Sequence, residues 1–134
     1  MLALGTIVLG GCHVELLREH PLGCRSDEQA LVRDTLYFGA SIPAGGEVDA
    51  AAWQRFEHDV LTPAFPQGYS VLDAHGAWRG ADGVTTHEAS RIVVLTHPDD
   101  AAAAASVRRV AQRYREMFHQ ESVLRERGAV CAQF

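Results

Sequence analysis

Lysine and asparagine are both missing from the 134 residues, and all 12 basic side chains are arginine. Without a lysine amine, Schiff-base catalysis by a lysine is ruled out. The bias toward arginine and alanine reads as the composition of a GC-rich genome. Positive charge is short as well: against 17 acidic residues the formal net charge is −5, so the overall balance offers no electrostatic footprint for nucleic acid. No apolar run reaches the roughly 18 residues that a membrane-spanning helix needs. The HExxH, GxGxxG, GK[ST] and Gly-x-Ser-x-Gly patterns are all lacking, and the seven histidines show no metal-ligand spacing. Neither a metal nor another cofactor is therefore expected.

What is present describes a globular chain. The hydrophobic fraction is 47% and the charged fraction 22%, enough apolar surface for one domain with a core of its own. The apolar run Leu2–Gly11 has the length of a signal-peptide core. It ends in "LGGC" (Leu9–Cys12), which resembles the lipobox of bacterial lipoproteins: an apolar residue, two small ones, then the cysteine. The resemblance implies a signal peptide over residues 1–11, cleavage before Cys12, and acylation of its thiol. Residues 12–30 would then be a polar tether to the membrane, and the protein an exported, lipid-anchored component of the cell envelope or periplasm. No Arg or Lys precedes the apolar run, a gap that a start codon further upstream would account for. A buried N-terminal strand carrying a free thiol is the alternative reading.

The compartment decides how the other cysteines are read. With Cys12 lipidated, Cys24 and Cys131 are left as an even pair, and export would make them a disulfide. Two unpaired thiols in a reducing cytosol are the alternative.

From Leu31 onward, strand and helix patterns alternate. "LVRDTLYFGASI" (Leu31–Ile42) is rich in aromatic and β-branched residues, and Pro43–Gly46 ends it. Asp49–Phe65 reads as one helix, capped by Asp49, with Trp53, Phe56 and Val60 on one face. Tyr69–Gly80 and Thr86–His97 read as strands joined by a turn around Asp82–Gly83. The apolar run Ile92–Leu95 predicts a central strand covered on both faces. Pro98–Phe118 is the clearest helix, capped by Asp99 or Asp100, with Val107, Val110, Tyr114, Met117 and Phe118 in one stripe. Ser122–Phe134 closes the chain as a strand.

The order β-α-β-β-α-β predicts an α+β, ferredoxin-like domain over residues 31–134. Its sheet is antiparallel in the order 4-1-3-2, with both helices on one face. In this topology the end of the last strand lies beside the beginning of the first, which sets Cys131 next to Cys24.

The same topology gathers polar residues at the opposite end of the sheet. These are Tyr37 at the end of the first strand, Trp78 at the end of the second, and Glu88 and Ser90 at the start of the third. The "HQES" junction before the last strand adds His119, Gln120, Glu121 and Ser122. Two readings compete for this cluster. In one, carboxylates and amides satisfy helix ends and backbone groups. In the other, Glu88, Glu121 and Tyr37 converge on a cleft as general acid and base, with His119 assisting. Arg108, Arg109, Arg113 and Arg115 read as a solvated helix face.

Several segments carry a resemblance: the "LYFG" strand end, "TPAFPQG", "DAHGAW", and "FHQESVL" followed by a cysteine near the C-terminus. Over Thr35 to Phe134 the chain resembles the bacterial family catalogued as domain of unknown function 3574. The resemblance implies a signal or lipoprotein N-terminus and a single domain; it implies no reaction. The expectation is a non-enzymatic envelope lipoprotein that binds a small ligand or a protein. A small hydrolase or isomerase using the carboxylates at the sheet end is the alternative. A sheet with one uncovered face further predicts a homodimer packed through that face.

Overall fold

The computed structural model describes residues 23–134; the lipobox and Cys12 lie outside them. Period-two burial builds the central strand β1 (Gln29–Gly39), whose Val32, Asp34, Leu36 and Phe38 are all buried on one face. It pairs antiparallel with β3 (Thr85–His97) on one side and β4 (Leu124–Ala132) on the other. Strand β2 (Ser70–Arg79) continues the sheet beyond β3, giving the order β2-β3-β1-β4. This is the expected 4-1-3-2 order counted from the other edge. β1 starts two residues earlier than the sequence pattern indicates, because Gln29 and Ala30 pair with Ala132 and Cys131.

Between β1 and β2, Asp49 caps α1 (Ala50–Phe56) by accepting the Ala52 N–H at 2.7 Å. The sequence predicts one unbroken helix to Phe65. Instead a π-helical segment (Glu57–Leu61) leads into a last α-helical turn, α2 (Thr62–Ala64). Pro63 has no N–H to give the carbonyl four residues back, and the ladder slips so that the Thr62 N–H bonds Glu57 five residues back. Asp100 caps the long helix α3 (Ala101–Phe118) through the Ala103 N–H. That helix ends at His119, which sits in the left-handed region at φ 53°.

Trp53, Phe56 and Leu61 from the first helical region and Val107, Val110, Tyr114 and Phe118 from α3 share one core with Leu36, Phe38, Val93 and Leu95 of the sheet. Aromatic edges meet faces throughout it, with Phe38 and Tyr114 ring centres 4.7 Å apart and Tyr114 and Phe118 at 4.8 Å. The buried Tyr114 hydroxyl donates to the Gly39 carbonyl at 2.8 Å, and burial raises its pKa. β3 is central as expected, but covered on one face only: Val93 and Leu95 are buried, while Ile92 and Val94 on the other face are half-buried. That second face also carries Leu72, Trp78 and Leu124, each 44–50% exposed.

Two further devices hold the domain. Cys24 and Cys131 form a disulfide across 107 residues, with Cα atoms 5.5 Å apart. At the same end of the core, fully buried Asp34 accepts two hydrogen bonds from Arg125, at 2.7 and 2.8 Å, and lies 2.7 Å from His97 Nε2. His97 Nδ1 donates to the Pro98 carbonyl. Burial pushes the Asp34 carboxyl up, and the bonds to Arg125 and His97 more than reverse it, leaving its pKa below the ordinary value.

Candidate functional site

The open face of the sheet is hollow at one end because side chains are missing there. Register aligns Gly39 of β1 with Ser90 of β3, and Glu88 of β3 with Gly76 of β2. Gly39, Gly76 and Ser90 therefore floor a cleft of about 520 Å³, within the roughly 300–1,000 Å³ range of small-molecule sites. Trp78, Tyr37 and Leu124 stand around this floor. Three connecting segments form the rim: Ser41–Pro43 after β1, Gly80 and Asp82 in the β2–β3 turn, and Gln120–Ser122 between α3 and β4.

Of the eight residues expected at this end of the sheet, seven line the cleft: Tyr37, Trp78, Glu88, Ser90, Gln120, Glu121 and Ser122. His119 does not. As the left-handed cap of α3 it is exposed and gives its N–H to the Arg115 carbonyl, so the backbone reversal carries it away from the cleft its neighbours line. The proposed assistance of His119 in the site is thereby corrected.

The lining residues differ in what they are free to do. Gln120 is committed to structure: its amide donates to the Ser41 carbonyl at 2.7 Å and ties the end of α3 to the loop after β1. Tyr37 donates its hydroxyl to Glu126 at 2.9 Å. That bond, then burial and the Glu126 charge, raises its pKa. Asp82 accepts the Val84 N–H at 2.9 Å and shapes the hairpin turn, in which Gly83 takes a positive φ of 80°. Glu121 reaches only the Ala81 N–H, at 3.4 Å, and is exposed.

Glu88 is different. It is half-buried, and Oε2 accepts the Ser41 N–H at 2.9 Å. Its carboxylate lies across the backbone of Gly39: a Cβ built there would meet Oε1 at 2.7 Å and Oε2 at 2.8 Å. Neither Glu88 nor Glu121 is in a salt bridge among the described residues. Ligating atoms of Cys24, Glu28 and Cys131 lie within 4.8 Å of one another, but the disulfide occupies both sulfurs.

Sequence reasoning gave no role to Gly39, met only in the "LYFG" strand end, and did not single out Gly76 or the buried Asp34–His97–Arg125 group. For Asp34 a signal existed. It falls in phase with Val32, Leu36 and Phe38, on the face that must be buried.

The fold and cleft define a four-stranded antiparallel α/β domain with a small-molecule-sized hollow on its open sheet face. The model of the family described as "Protein of unknown function (DUF3574)" matches residues 33–134, and the chain belongs to that family. No curated protein matches the sequence. Among solved structures, a phage SAM lyase in complex with S-methyl-5′-thioadenosine is similar at TM-score 0.59 and 13% identity, covering 78% of this chain and 90% of the lyase. The phage SAM lyase in its apo state is similar at TM-score 0.57 and 14% identity, with the same coverage. At that identity the likeness is one of fold.

Proposed function

We propose that this protein is a ligand-binding module of the cell envelope, built on a ferredoxin-like domain, whose cleft takes a small organic molecule. The observation that carries the reading is the cleft itself: a hollow of about 520 Å³ floored by glycines and walled by Trp78, with uncommitted carboxylate oxygens on its surface. A sheet meant only for packing would fill that end with side chains. The strand order and the β-α-β-β-α-β element sequence support the ferredoxin-like description. The Cys24–Cys131 disulfide supports an oxidising compartment, and with it the lipobox reading of Cys12. Intact mass spectrometry of membrane-fraction protein tests the anchor; a full-length, unacylated chain overturns it.

S-Methyl-5′-thioadenosine, bound by a protein of similar fold, is a first probe of the cleft, together with S-adenosylmethionine. Protein-observed NMR should show shifts confined to Gly39, Ser41, Gly76 and Trp78 for a ligand seated there. Shifts scattered over α3 would sink the assignment of the site.

The enzymatic reading, a hydrolase or isomerase, is favoured by one specific feature: Glu88 is half-buried, fixed by one bond and otherwise open to the cleft. Following bound probes by NMR for product signals separates the two. Turnover abolished by Glu88→Gln establishes an enzyme, and unchanged ligand over days supports the binding module. The open face with Leu72, Trp78 and Leu124 supports a second copy of the chain as its cover. Light scattering at micromolar concentration tests this, and a monomer counts against it.

A further inference from the structure

We infer that Glu88 is the anchoring group of the cleft, seated there by Gly39, and that the molecule it anchors is an organic cation: an ammonium, sulfonium or amidinium group attached to a flat or apolar body. The inference rests on the small-ligand reading of the cleft and adds the charge of the ligand and the residue that holds it.

The charge follows from the lining. Asp82, Glu88 and Glu121 all line the cleft, and no arginine or histidine does. Two arginines on the flanking strands do not line it either. Arg79 donates to the Gly83 carbonyl within the hairpin turn. Arg91 alternates with Ser90 onto the helix-bearing face, where it lies 5.0 Å above the Trp53 ring and 3.6 Å from Asp73. An anionic ligand would meet three carboxylates with no opposing charge, whereas a cation would meet complementary ones. Half-exposed Trp78 offers the neighbouring aromatic surface, which attracts cations as well as flat apolar groups.

Glu88 is singled out among the three carboxylates by how it is held. Asp82 belongs to its turn, and Glu121 is exposed with one long bond. Only Glu88 is half-buried and oriented by a short bond, that from the Ser41 N–H, with Oε1 left for a partner. That orientation needs position 39 to lack a side chain. Glycine weakens a strand interior, and it recurs where another group must approach the backbone closely. Any Cβ at position 39 would overlap both carboxylate oxygens and Cδ at 2.7–2.9 Å. Gly39 is thus a positioning residue for Glu88.

The test uses two rigid probes of similar size and opposite charge, phenyltrimethylammonium and benzenesulfonate, with S-methyl-5′-thioadenosine as an uncharged third. NMR titration of the full domain should show phenyltrimethylammonium shifting Gly39, Ser41 and the Trp78 indole, and benzenesulfonate leaving them in place. Glu88→Gln should weaken the cation by about tenfold, because a quaternary ammonium has no N–H to donate and is drawn to Glu88 by the carboxylate's negative charge alone. Gly39→Ala should push the Glu88 carboxylate aside, lowering affinity when Glu88 is present and adding little to the loss in a Glu88→Ala background, with stability held in both. That coupling is a readout that a general strand defect would not produce. Equal binding of benzenesulfonate, or undiminished cation binding by Glu88→Gln, overturns the inference. If only S-methyl-5′-thioadenosine binds, the cleft remains a ligand site and the cation is overturned. If no probe moves a cleft resonance, both readings fall.

Discussion

Asp34 is the residue on which the most electrostatic energy turns. It is fully buried, and its two carboxylate oxygens are shared between Arg125 and His97. Removing one member of a buried charged group strands the others, so Asp34→Ala should destabilise the domain by about 3–5 kcal/mol. Because its folded-state pKa is lowered from 3.8, the sign of the pH dependence is fixed. The stabilisation is complete above the ordinary aspartate value, erodes as pH falls below it, and is gone once the folded-state value is passed. Urea unfolding across that acid range should show a slope that Asp34→Asn flattens. His119 gives a prediction of the opposite sign. A non-glycine residue at φ 53° is strained by about 1 kcal/mol, so His119→Gly should raise stability by up to that amount and leave cleft binding untouched. Loss of binding in that variant would return His119 to the site.

At the scale of the element, the cleft is a property of strands that give up side chains. Gly76 lies opposite Glu88 in the β2–β3 register, and a Cβ placed on it would meet nothing within 4 Å. Gly76→Val should therefore fold normally, gain up to about 1 kcal/mol from strand propensity, and fill the hollow. Probe binding lost without loss of melting temperature is the expected result; unaltered binding would place the ligand elsewhere. The elements were largely readable because their periods are clean: Val32, Leu36 and Phe38 in alternation, and Val107, Val110, Tyr114 and Phe118 in helical steps. The π-helical segment was not readable: regular helical steps from Trp53 and Phe56 point to Val60, whereas the slip ahead of Pro63 buries Leu61, five residues after Phe56, and leaves Val60 half-buried. The polar wall of the cleft could be read from topology, which joins the ends of β1, β2 and β3 to the α3–β4 junction. Apart from Ser90, its floor could not, because the missing side chains of Gly39 and Gly76 have no chemistry to recognise. His119 was misplaced for a related reason: sequence proximity to Gln120 says nothing of a left-handed reversal between them.

For the whole molecule, the disulfide joins the two ends of the domain. Cross-linking a loop of 107 residues should stabilise by about 4 kcal/mol through restriction of the unfolded chain, and a Cys24→Ser/Cys131→Ser variant should lose about that much in denaturant titrations. Its fold should persist, because the Ala30–Cys131 strand pairing and the aromatic core do not depend on the bond. A variant of unchanged stability would mean that the two ends are already held together in the unfolded state.

The bond has a mechanical consequence. Tension entering the chain ahead of Cys24 and leaving beyond Cys131 crosses directly from one cysteine to the other. The whole sheet, both helical regions and the cleft sit inside a covalent ring that carries none of the load. If the chain hangs from a membrane by its N-terminal side, whatever pulls on the far end stretches the tether and spares the site. Single-molecule pulling from the two termini should then show no unfolding event until a reductant opens the ring, and one cooperative extension afterwards.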